Sequence, residues 1–222
     1  SIEQLEKDAQ EIKSMIGYLE NRIIEIRKSK IKSKIPRSSR YLDSLFMYSQ
    51  ENNLEPEEIA AVISCESDWD IYAVSSMGAA GATMLMPQTA NNLGLSPIYK
   101  LEEFVENEER YAKGEITKVQ RDNFRKNYSD ELRLIKDKSI DARFDPEKSI
   151  STGIKYMGEM RKIFIDRVLS LTAYNAGPGI VDEWMINGWK GEIDKIQYPE
   201  TKKFVESVTL SLKNIKENDW ED

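Results

Sequence analysis

The first thirty residues repeat with a seven-residue rhythm. Ile2, Ala9, Ile16 and Ile23 form one apolar series, and Leu5, Ile12, Leu19 and Ile26 form a second, three residues along. Two apolar positions per heptad over about four heptads predict a long helix with a narrow apolar seam. Such a stripe suits a coiled coil, pairing with a second copy or a partner helix through residues 2–26, and equally a helix laid on its own domain. The lysine-rich run from Lys30 to Lys34 breaks the seam and Pro36 closes it. Residues 1–36 therefore read as a helix and a solvated linker ahead of a domain formed by residues 37–222.

The pattern then becomes that of shorter, more deeply buried helices. A helix is expected over Ser38 to Gln50, capped by Ser38 or Ser39, with Tyr41, Leu42, Leu45, Phe46 and Tyr48 as its apolar surface. Asn52 and Asn53 make a turn. Pro56, Glu57 and Glu58 suit the first turn of the next helix, which is apolar through Cys65, buried on most sides, and expected to end around Trp69. A loop of small residues follows, in which Gly78 and Gly81 permit close backbone approach or positive φ, and then a helix from Pro87 to Leu93 that Gly94 ends. Residues 96–143 are highly charged, with Phe104, Tyr111, Val119, Phe124, Tyr128, Leu132 and Ile135 interleaved, a spacing that predicts two or three amphipathic helices. Asp145 and Pro146 fit the cap and first position of a helix carrying Ile150, Ile154, Met157, Met160 and Phe164. Val168 to Tyr174 reads as another buried helix. Thr201 to Ile215 reads as a last one, with Phe204, Val205, Val208, Leu210 and Leu212 on its apolar side. The fold class is all-α, with at most a small hairpin of strands.

Composition narrows the chemistry. The chain has 222 residues, 40% of them hydrophobic, enough for one sizeable core with an appendage. A net charge of -7 argues against nonspecific nucleic-acid binding, which needs a cationic surface. There is no histidine, so acid/base work falls to carboxylates or hydroxyls. One cysteine permits neither an internal disulfide nor a Cys/His metal cluster, and no cofactor is implied. No apolar run is long enough to cross a bilayer, and the chain opens at Ser1 without a signal-peptide pattern, which reads as a processed or truncated product.

One residue stands out against this background. Glu66 arrives at the end of the apolar helix of residues 56–65. A carboxylate in such a setting is paired, hydrated or held as the neutral acid, because desolvation disfavours its charge and raises its pKa. That is the requirement for a general acid. Met84, Met86 and Tyr174 are the expected apolar neighbours. Cys65, one position away around the helix, is expected to face elsewhere as a buried, unreactive thiol.

Three blocks in order carry a family resemblance. They are Glu66-Ser67 with Ser75, Gly78-Ala79-Ala80-Gly81 and Leu85-Met86-Pro87; Ala173-Tyr174-Asn175-Ala176-Gly177-Pro178-Gly179 with Trp184; and Tyr198-Pro199-Glu200-Thr201 with Phe204-Val205. Together they resemble the catalytic domain of the soluble lytic transglycosylase family, which shares the goose-type lysozyme architecture. The resemblance covers roughly Tyr41 to Ser96 and Phe144 to Val208. It leaves the first helix and residues 96–143 outside, the latter reading as a charged helical insertion that could line a sugar groove or serve stability alone.

The resemblance implies a lysozyme-like helical domain with a groove, in which Glu66 is the sole acid/base and peptidoglycan glycan strands are the substrate. Tyr174 and Asn175 would lie across the groove from it, where a tyrosine can hold the glutamate or the sugar. Ser75 resembles a residue that contacts an N-acetyl group, and read alone is a turn serine. Met86 resembles a residue lining the sugar site. Met84 stands where the family usually has glutamine, so a hydrogen bond of about 1 kcal/mol is lost at that subsite. The substrate implies a cell-envelope location, periplasmic or secreted. The expected reaction cuts between N-acetylmuramic acid and N-acetylglucosamine and leaves 1,6-anhydromuramic acid ends. Two other readings stay open. A goose-lysozyme-type hydrolase would need a second carboxylate, for which Asp70 is the nearby candidate, with Glu183 and Glu200 next; a glycan-binding or scaffold protein would bind without turnover.

Overall fold

The computed structural model describes residues 1–217, and most of those residues are helical. The helices are α1 (Ile2–Lys34), α2 (Leu42–Glu51), α3 (Pro56–Ser67), α4 (Pro87–Asn92), α5 (Leu101–Ala112), α6 (Lys118–Ile135), α7 (Pro146–Phe164), α8 (Arg167–Ala176), α9 (Pro178–Ile186) and α10 (Pro199–Lys216). Among the described residues the hairpin reduces to isolated antiparallel bridges, Val74 with Ala80 and Ala80 with Leu85.

At 33 residues, α1 extends about 50 Å at 1.5 Å per residue. Its predicted seam faces solvent: Ile2 is 77% exposed, Leu5 68% and Ile26 61%. This face does not lie on the domain. A different side of the helix docks, through Ile24, Ile31 and Arg27, whose guanidinium donates two 2.7 Å hydrogen bonds to the Glu57 carboxylate of α3. The lysine-rich run is likewise not a linker. The helix continues through it to Lys34, because the fully buried Ile31 anchors that turn in the core.

The next expected start also shifts. Residues Pro36–Tyr41 form a 3-10 turn and α2 begins at Leu42, without a side-chain cap. Neither Ser38 nor Ser39 caps α2; the Ser38 hydroxyl instead donates back to the Ile35 carbonyl at 2.7 Å, which favours the tighter turn. Helix α3 begins at Pro56 with its two glutamates in the first turn, as their chemistry predicts, and both are buried in ion pairs. Glu57 meets Arg27, and Glu58 meets Arg161 of α7 at 2.5 Å.

Helices α2, α3, α7, α8, α9 and α10 enclose the main core around Ile59, Ile63, Ile154, Met157, Leu171 and Val205. Asp145 caps α7 through a hydrogen bond from the Lys148 amide and Pro146 opens it, as expected. In α10, Phe204, Val205, Val208 and Leu212 are buried, but Leu210 is 59% exposed and faces water instead of the core, since it falls off the stripe those four define. The charged segment 96–143 forms two helices, α5 and α6, with a smaller core of their own in which Phe104, Tyr128 and Leu132 meet Ala80 and Phe144. Of its interleaved apolar residues, Val119 is exposed.

Candidate active-site groove

Glu66 sits in the last turn of α3, whose preceding residues Ile59 to Ile63 are all buried. The helix ends at Ser67, two residues before the expected stop. Asp68 and Trp69 take left-handed φ values of 53° and 63°, which turn the chain back over the helix end. The returning loop is pinned from several sides. Ser67 donates its hydroxyl to the Ala82 carbonyl at 2.6 Å, and Tyr174 donates its hydroxyl to the Thr83 carbonyl at 2.8 Å. Two glycines allow this approach: a Cβ on Gly81 would lie 2.1 Å from the Arg143 carbonyl oxygen, and one on Gly153 2.3 Å from Thr83 Cβ. Gly78 and Gly81 have φ values of 98° and 81°.

Arg143, with no exposed surface, ties the loop to α6. It pairs bidentately with Asp141, donates through Nη1 to the carbonyls of Gly78 (2.8 Å) and Leu85 (3.0 Å), and donates through Nη2 to the Tyr128 hydroxyl (2.7 Å). Every partner accepts, so the buried charge is compensated. Arg133 adds a bond from α6 to the Val74 carbonyl at 3.1 Å.

The result is a groove of about 1050 Å³. Glu66, Ser75, Met84, Met86, Tyr174 and Asn175 all line it, together with Tyr198 just ahead of α10, Glu200 and Lys203 of α10, and Arg125 of α6. Cys65 lines it too. It does not face away from Glu66 as helix geometry alone suggests, because the chain reversal at Asp68 opens the groove along the last turn of α3. Burial and the neighbouring Glu66 push its thiol up to about 11, so it stays protonated and a poor nucleophile.

Burial pushes the Glu66 carboxyl up to about 8, with Glu200 adding to the rise and the Asn175 side chain opposing it. Asn175 is oriented for this. Its Oδ1 accepts from the Thr201 hydroxyl at 2.8 Å, which leaves the amide nitrogen to donate toward Glu66. A carboxyl of this kind keeps its proton at neutral pH and can deliver it to a group held in the groove. The Tyr174 hydroxyl does not hold Glu66. It is committed to Thr83, and burial beside Glu66 raises its pKa well above the ordinary value. Ser75 accepts from the amides of Met77 (3.2 Å) and Ala79 (3.0 Å), as a turn serine does, while its hydroxyl hydrogen remains available to the groove. Met84 has φ 49°, a left-handed conformation, and lines the groove.

The other carboxylates divide clearly. Asp68 pairs with Arg37 at 2.6 Å, and Asp70 accepts from the Tyr72 amide at 2.9 Å in an exposed turn. Neither lines the groove, nor does the exposed Glu183 of α9. Glu200 does, from the exposed first turn of α10. Sequence reasoning did not find the contacts of Arg143, the place of Arg125 on the groove wall or the bond made by the Ser67 hydroxyl; Ser67 and Thr201 stood inside the recognised blocks, but nothing local marks the two arginines.

The transglycosylase SLT domain model matches residues 43–109 and 122–197, well over half of the chain. The chain belongs to the transglycosylase SLT domain family. All six residues singled out above fall inside the matched segments, as does much of segment 96–143; residues 110–121 and α1 fall outside. The soluble lytic murein transglycosylase of Escherichia coli K12 is 26% identical over 168 residues, covering 75% of this chain and 20% of that protein. The chain therefore spans about a fifth of the curated relative's length. The crystal structure of an inactive mutant of the Pseudomonas aeruginosa lytic transglycosylase Slt superposes with a TM-score of 0.52 at 22% identity, covering 82% of this chain and 24% of that one. The 70 kDa soluble lytic transglycosylase of Escherichia coli gives 0.54 at 21% identity, covering 81% and 25%. These two structures support the all-α, lysozyme-like SLT fold. No helix among the described residues of this SLT domain chain is long and apolar enough to cross a membrane.

Proposed function

We propose that this SLT domain is a peptidoglycan lytic transglycosylase, with Glu66 as its acid/base. The observation that carries the reading is a single desolvated carboxyl in a wide groove, raised to about 8, with Asn175 beside it. Glu66 gives its proton to the glycosidic oxygen leaving C1 of N-acetylmuramic acid. The 6-hydroxyl of that same sugar attacks C1, and Glu66 takes the hydroxyl proton back. The bond to N-acetylglucosamine breaks, an internal C1–O6 bond forms, and no water is consumed. Intramolecular attack has a high effective concentration, so the reaction needs no second carboxylate to position water. Ser75, Met84, Met86, Tyr174 and Asn175 bind or shape the glycan site. The substrate places the protein in the cell envelope. Residues 37–222 form the catalytic unit, and α1, with its solvent-facing seam, associates with a second copy or a partner helix.

Intact glycan strands digested by the protein and analysed by mass spectrometry test the reaction. Anhydro ends, one water lighter than hydrolytic ends, are expected, with a rate that declines above about pH 8 as Glu66 loses its proton. Reducing ends carrying oxygen from labelled water would identify a hydrolase and make Glu200 the partner carboxylate to replace. Binding without any cleavage would identify a glycan-binding protein.

A further inference from the structure

The seam of α1 stands clear of the domain along its whole length. Its large apolar side chains range from 49% exposed at Ile16 to 77% at Ile2. With the Ile2 series as heptad position a and the Leu5 series as d, Lys30 and Ser33 fill the next two positions, so the seam ends at Ile26. Glu6, Lys13, Glu20 and Arg27 flank it on one side, at e, and Asp8, Met15 and Arg22 flank it on the other, at g. Glu6, Lys13 and Glu20 make no hydrogen bond or ion pair among the described residues.

Run antiparallel against itself, this helix completes its own pattern. Setting Ile12 against Ile16 of a second copy places an a residue opposite a d residue in every layer: Ile2 faces Ile26, Leu5 faces Ile23 and Ala9 faces Leu19. The smallest seam residue then meets a large one, where a parallel pair stacks Ala9 on Ala9 and leaves a gap. Helical side chains lean toward the N-terminus, so in this register the e side chains converge across the pair. Lys13 meets Glu20 and Glu6 meets Arg27, each twice by symmetry, and every such pair is of opposite charge. Arg27 shares its guanidinium with Glu57 but stays 39% exposed. At g, Asp8 approaches Arg22 and Met15, and no like charges meet. A parallel pair sets Asp8 against Lys13 but Arg22 against Arg27.

We infer that α1 is an antiparallel dimerisation helix whose occupant is a second copy of this chain. This rests on the reading above that the seam associates, and adds the partner, the direction and the register. The Ile31 anchors of the two copies then lie about 50 Å apart at 1.5 Å per residue, so the two domains stand at opposite ends of the pair. A parallel pair holds them side by side.

Sedimentation of the wild-type chain should show a dimer. Leu5→Cys and Ile23→Cys, both on the exposed seam, are treated with oxidised glutathione, each alone and as a mixture after subunit exchange. Wild type, whose single cysteine is Cys65, is the control. A disulfide-linked dimer is expected in the mixture and in neither variant alone. Glu6→Lys with Glu20→Lys turns every e pair into a like-charge contact and should weaken the dimer roughly tenfold, whereas a parallel pair sets neither residue against a charged side chain. Linked dimers in each cysteine variant alone, or a charge variant that dimerises as wild type does, overturn the antiparallel inference while association stands. A wild-type dimer with no linkage in the mixture overturns the register. Monomers at every concentration remove the association reading and the inference with it. None of these residues lines the groove, so glycan cleavage by the same preparations tests the transglycosylase reading separately.

Discussion

Glu66→Gln keeps the size of the side chain and removes both its transferable proton and its charge. The structure predicts that the variant loses activity and gains stability, with the gain depending on pH. In the unfolded chain Glu66 titrates near 4.5, and in the fold near 8. A raised folded pKa gives wild type its full stability below about pH 4.5, and that stability falls as the pH rises toward 8, because the unfolded chain can release a proton that the folded chain must keep. At about 1.36 kcal/mol per unit, the 2.5 units between 4.5 and pH 7 amount to about 3 kcal/mol. Water entering the groove screens part of this, leaving about 2 kcal/mol. For a chain of this length each kcal/mol moves Tm by roughly 2–4 °C, so the variant should melt about 4–8 °C above wild type at pH 7. Calorimetric melts of both proteins at pH 4.5, 7 and 8.5 measure it. The difference should be smallest at pH 4.5 and largest at pH 8.5. A difference that does not change with pH would refute the reasoning, since any packing or hydrogen-bond effect of the amide is constant across this range. Activity on glycan should fall by at least about 100-fold at every pH, the usual scale of general acid catalysis.

Two further outcomes follow from the packing. Gly153→Ala places a methyl 2.3 Å from Thr83 Cβ, so α7 and the loop must separate; the overpacking should cost about 1–3 kcal/mol in denaturant unfolding and also lower activity, because Thr83 precedes Met84 and receives the Tyr174 hydroxyl. Ile16→Lys with Leu19→Lys, both on the exposed seam of α1, should convert an assembled protein into monomers in sedimentation while leaving glycan cleavage intact; a wild-type chain that is monomeric at all concentrations would remove self-association through α1.

Much of this molecule was legible in its sequence because the signals were local. Heptad spacing specified α1, a proline and two glutamates specified the start of α3, Asp145 and Pro146 that of α7, and the all-α class followed from helical periodicity in nearly every segment. Glu66 was recognisable because a lone carboxylate ended an apolar helix, and Ser75, Met84, Met86, Tyr174 and Asn175 through the blocks they belong to; all of them reach the groove. Local signals failed where a contact crossed the chain. The 3-10 turn ahead of α2 depends on the Ser38 hydroxyl choosing the Ile35 carbonyl over a cap, and the continuation of α1 through its lysines depends on the burial of Ile31 by other helices. Tyr174 meets Thr83 across 91 positions, and Arg143 meets Gly78 across 65. Arg125 reads as one more charge on an amphipathic helix until α6 is placed beside the groove. Periodicity reports which side of an element is buried. Which buried or half-buried group meets which is decided when the helices pack, because hydrogen bonds and desolvation act over a few ångströms of space and not along the chain.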